Sequence, residues 1–202
     1  MDNEQTDISS KPIKVFLDTV DIVLNSNTFL LRFEVKTGNV DDDLLNFLHS
    51  ESFIHQLERQ DSERGWFNMR YFDLETDSYK LRQGSIIKDR IKLKIKNIEI
   101  EKSEYLVAML TGDTAKGRFN SYYSKQITKE KAEAIVDNFT TFLSVDSQWK
   151  LFVVEPDFLK YAVDVYSRNE DLSYFEGDCG NNTATVIVTN NKGFLLLTNG
   201  IP

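Results

Sequence analysis

The sequence predicts an α+β fold: a mostly antiparallel β-sheet built from hairpins, with two or three packed helices. Three observations carry this. Residues 28–37 alternate apolar and polar side chains, the period of a strand with one buried face. Residues 183–198 read as two strands joined through Asn190-Asn191-Lys192-Gly193. The element order (strands, helix, strands, helix, strand, an ambiguous segment, hairpin) is not the regular alternation that a parallel sheet demands.

From the N-terminus, residues 1–12 form a polar arm that ends at Pro12 and is expected to be disordered. Ile13–Leu24 reads as a strand whose phase slips near Asp18-Thr19, as at a bulge. Asn25-Ser26-Asn27 then signals a hairpin into Thr28–Thr37. In that second run Phe29, Leu31, Phe33 and Val35 share one face, and Leu30, Arg32, Glu34 and Lys36 share the other.

Asp41–Gln60 is helical in composition, and Asp41, Asp42 and Asp43 suit a helix N-terminus electrostatically. At about 100° per residue, Leu44, Phe47 and Leu48 point one way and Phe53, Ile54 and Leu57 point more than about 90° away. A break at Ser50-Glu51-Ser52, with serine re-capping the second piece, lets both stripes reach a core.

Strands are expected over Trp66–Leu74, Tyr79–Ile87 and Ile91–Ile100, and a central strand over the apolar run Glu104–Thr111. Residues 112–126 form a long loop. Thr128 caps the clearest helix, with Ala132, Ile135, Val136, Phe139, Phe142 and Leu143 as its apolar stripe and Ile127 as a staple. Trp149–Val154 is a strand. Residues 157–168 fit a helix begun by Pro156, or a strand through Tyr161, Val163 and Val165. Residues 13–202 are expected to form one α+β domain, with two lobes, 13–126 and 127–202, as the alternative division.

Composition narrows function by exclusion. Hydrophobic residues make up 41% of the 202 and aromatics 12%, which excludes disorder over most of the chain. One cysteine excludes an intrachain disulfide framework and a multi-cysteine zinc site. The N-terminus has no basic and apolar leader pattern, and no apolar run approaches the roughly 18 residues of a bilayer span, so the cytoplasm is the expected compartment. The net charge of −8 argues against a nucleic-acid coat. That charge is uneven. Residues 1–65 carry 13 acids and 6 bases, residues 66–127 carry 8 and 12, and residues 128–202 carry 11 and 6. A basic middle between acidic flanks steers association with a charged partner.

Several local patterns carry the residue types of a functional site. Gly112–Phe119 has the glycine spacing of a phosphate-binding loop, but Arg118 and Phe119 stand where the Lys and Ser/Thr are needed. Glu34-Val35-Lys36 with Asp21 resembles the metal-binding carboxylates and lysine of PD-(D/E)xK nucleases, and the resemblance covers only these residues. Glu51, His55 and Glu58 share a helix face, where a solvated stripe is favoured over a metal site. Cys179 has acidic sequence neighbours, which disfavour a reactive thiolate. Lys92, Lys94 and Lys96 form a strand-period stripe, read as an edge guard or as an anion-binding surface.

Lys116, Arg118, Phe119, Tyr122 and Tyr123 combine the residue types that anchor protein interfaces. Asp41, Asp42, Asp43, Asp171, Glu176 and Asp178 would meet a basic partner. The expectation is a non-enzymatic acidic protein that binds and masks one basic protein partner, in the manner of an immunity or antitoxin protein against a nuclease-like toxin. No cofactor, metal or membrane is expected. A metal-dependent nuclease or hydrolase using Asp21, Glu34 and Lys36 is the alternative.

Overall fold

The structure is a computed structural model describing residues 8–64, 70–73, 78–81, 95–97, 101–112, 127–143, 149–154, 183–189 and 191–200. Along the chain these form α1 (Lys11–Leu24), β1 (Ser26–Glu34), α2 (Val40–Leu48), α3 (Glu51–Arg64), β2 (Arg70–Asp73), β3 (Ser78–Leu81) and β4 (Ile95–Asn97). Then come α4 (Lys102–Thr111), α5 (Lys129–Phe142), β5 (Lys150–Val154), β6 (Thr183–Val188) and β7 (Lys192–Gly200). The fold is α+β. Five strands form an antiparallel sheet in the order β1-β7-β6-β5-β4, and β2 and β3 form a separate hairpin. β1 pairs along its whole length with β7, from Ser26↔Gly200 to Glu34↔Lys192.

Strand alternation gives each face of this sheet its own core. Leu30, Leu151, Ile187, Phe194 and Leu196 face α1, α4 and α5. Phe29, Leu31, Phe33, Ala184, Val186, Leu195 and Leu197 belong to a second core with α2 and α3. The predicted alternation in β1 is therefore correct, with Val35 half-buried against the second core.

The first segment differs from expectation. Residues 13–24 are the helix α1, not a strand. Its buried residues Ile13, Phe16, Leu17, Val20, Val23 and Leu24 recur at three- and four-residue spacing, so the supposed phase slip is the helical period itself. Pro12 lies in the first turn, where a missing N–H costs nothing. Asn25 closes the helix in the left-handed region (φ 49°), donating its N–H to Asp21 O. The polar arm is ordered in its described part: Ile8 is buried, and Lys11 and Pro12 are helical.

Residues 104–111 also form a helix, not a central strand. Six consecutive residues, Tyr105–Leu110, are buried between α1, α5 and the sheet, so no amphipathic period shows. Glu101 caps the start through Glu104 N–H, and Gly112 in the left-handed region ends it. Lys102 Nζ sits over the Trp149 ring and donates to Trp149 O, tying α4 to the start of β5.

The break between α2 and α3 falls where expected: Ser50 Oγ accepts from Phe53 N–H and donates to Phe47 O. Thr128 caps α5, and Phe139 stacks on Phe16 of α1 with centroids 4.0 Å apart. Phe142, expected in the α5 stripe, is instead 46% exposed.

Outermost strand β1 would leave the N–H and C=O of every second residue unpaired. Two glutamines of α3 take those of Leu30 and Arg32. Gln60 Oε1 accepts from Leu30 N–H at 3.0 Å, and its Nε2 donates to Leu30 O at 2.7 Å. Gln56 does the same at Arg32, at 2.8 and 2.9 Å. Four helical residues rise about 6 Å and two strand residues about 6.8 Å, so an i,i+4 pair matches an i,i+2 pair. In this way α3 replaces a sixth strand.

Gly193 lies opposite Phe33, and a β-carbon placed on it would come within 2.1 Å of Cζ and 2.4 and 2.5 Å of the two Cε atoms of the Phe33 ring. That ring cannot yield easily, since it stacks on Phe47, which meets Phe53 edge-on. Gly193→Ala is expected to destabilise the fold by about 1–3 kcal/mol, measured by urea unfolding; an unchanged midpoint would show that the ring relaxes freely.

Candidate functional site

Among the described residues, an ionic cluster at the junction of α1, β1 and α3 brings buried titratable groups together. The Arg64 guanidinium, 12% exposed, lies one turn beyond Gln60 on α3. It donates to Asp18 Oδ1 at 3.0 Å and to Asp21 Oδ2 at 2.5 Å. Asp18 also takes Lys14 Nζ at 2.9 Å. Asp21, 17% exposed, further accepts from the hydroxyls of Ser26 and Thr28 at the start of β1. Burial pushes the Asp21 carboxyl up from 3.8 to about 7, against the pull of Thr28 and Arg64. Such a group can exchange a proton near neutrality, but here it is held by three partners and joins three elements.

The cluster does not include the remaining members of the nuclease-like set. Asp21 sits beside Ser26 and Thr28, whereas Glu34 ends β1. Thr28 and Glu34 are six strand steps apart, about 20 Å. Glu34 and Lys36 are both exposed and bond to each other at 2.8 Å, which lowers the Glu34 pKa and raises that of Lys36. Asp21, Glu34 and Lys36 thus do not converge on one metal position. Among the described residues no group of three His, Cys, Asp or Glu side chains is placed to hold a metal. His55 and Glu58 stand 4.0 Å apart on the exposed side of α3.

The residues expected to meet a partner separate into three sets. Asp41 and Asp42 are exposed in the first turn of α2. Asp43 is a correction: it is buried, and its carboxylate accepts from Lys36 N–H, Thr37 N–H and the Thr37 hydroxyl, closing the loop before α2. It is therefore spent on the fold and leaves no carboxylate for a partner. Lys116, Arg118, Phe119, Tyr122, Tyr123, Asp171, Glu176 and Asp178 lie outside the described residues, as do Cys179, Lys92, Lys94 and residues 157–168. Lys96 lies in β4, at the opposite end of the strand order from β1. Arg64, Gln56 and Gln60 were missed by sequence reasoning. The signal was the polar i,i+4 series Ser52, Gln56, Gln60, Arg64, which passes for a solvated stripe.

Inward rotation of Arg64 leaves its mark on the surface. Asp41, Asp42, Glu51 and Glu63 are exposed on α2 and α3, and Glu58 is half-buried, as is Arg59, which lies 3.4 Å from Glu63. No protein-family model, curated protein or solved structure matches the chain. Among the described residues no helix is long and apolar enough to cross a membrane.

The Asp21 carboxyl couples folding stability to pH. With the folded value raised above the unfolded one, the folded state holds the proton more tightly, so this group's stabilisation is full below about pH 4 and lost as pH rises through about 7. Asp21→Asn removes that loss. Relative to the parent, the variant is expected to gain on the order of 3 kcal/mol between about pH 4.5 and about pH 7.5, read from urea unfolding at both values. A difference that stays constant with pH would remove Asp21 as the titrating group.

Proposed function

We propose that this chain is a non-enzymatic acidic binding protein that masks or inhibits one protein partner with a basic surface, in the manner of an immunity or antitoxin protein acting on a nuclease-like toxin. The observation that carries the reading is the acidic outer side of α2 and α3. Asp41, Asp42, Glu51 and Glu63 are exposed there and Glu58 is half-buried, against the half-buried Arg59, while Arg64, the other arginine of α3, is turned inward to Asp18 and Asp21. A predominantly acidic surface on a rigid layer raises the association rate of an oppositely charged protein and loses that advantage as salt screens it. The layer is rigid for a stated reason: Gln56 and Gln60 lock α3 to the sheet edge, and Ser50 sets α2 against α3. The separation of Asp21 from Glu34 removes the argument for a nuclease centre on β1.

Capture from the native host's lysate identifies the partner, and association kinetics with that purified protein test the surface. The association rate is expected to fall steeply between about 50 and about 300 mM salt. Replacing Asp41, Asp42 and Glu51 with Asn, Asn and Gln should slow it about tenfold at low salt with little change in dissociation. A salt-independent rate that the triple variant leaves unchanged would overturn the assignment of this face.

A further inference from the structure

We draw no further inference here: the strongest candidate, the surface patch that the exposed Val15 and Ile22 make on the outer side of α1, is an unpartnered apolar face, and nothing in the structure shows what covers it.

Discussion

The hydrogen bonds from Gln56 and Gln60 to the outer edge of β1 fix the position of everything on that side of the sheet. A strand edge buried without partners would leave donors and acceptors unsatisfied, at about 1–3 kcal/mol for each group. Covering it with a helix normally hides the edge without bonding it. Here the two glutamine amides bond it as a strand would, each offering one acceptor and one donor to the same residue. Only a side chain carrying both groups in one plane can do this, which is why glutamine, and not glutamate or lysine, occupies both buried positions.

The consequences run outward from α3. Once it is seated, Phe53 and Leu57 enter the core beneath β1, and the serine break turns α2 so that Leu44, Phe47 and Leu48 enter the same core. Asp43 is then carried inward to close the loop after β1. At the other end, Arg64 is brought to Asp18 and Asp21 and is withdrawn from the surface. Electrostatics and packing are thus one arrangement: the placement that seals the sheet also makes the outer side of α2 and α3 acidic and gives Asp21 its high proton affinity.

What was legible in the sequence follows from how much each residue's neighbours are local. The alternation of β1, the serine break, the capped helix α5 and the C-terminal hairpin depend on near neighbours, and all were readable. The two misread segments failed for opposite reasons. In α1 the helical period is present at Ile13, Phe16, Leu17 and Val20, but read as strand it looks like a phase slip at Asp18-Thr19, and the following Asn25-Ser26-Asn27 signals a hairpin. In α4 burial on all sides erased the period, and a short apolar run then reads equally as strand. The glutamine seal was invisible because a buried glutamine and a solvated one look alike until the strand edge they satisfy is located. Asp43 misled for the same reason, its partners being backbone groups several residues away.

The most direct test of this account is the equilibrium stability and oligomeric state of Gln56→Leu/Gln60→Leu, which preserves approximate side-chain volume while removing the amide hydrogen bonds to Leu30 and Arg32. The account predicts a loss of about 3–5 kcal/mol together with concentration-dependent self-association through the opened edge. A double variant that stays monomeric with parental stability would contradict the claim that these glutamines complete the sheet.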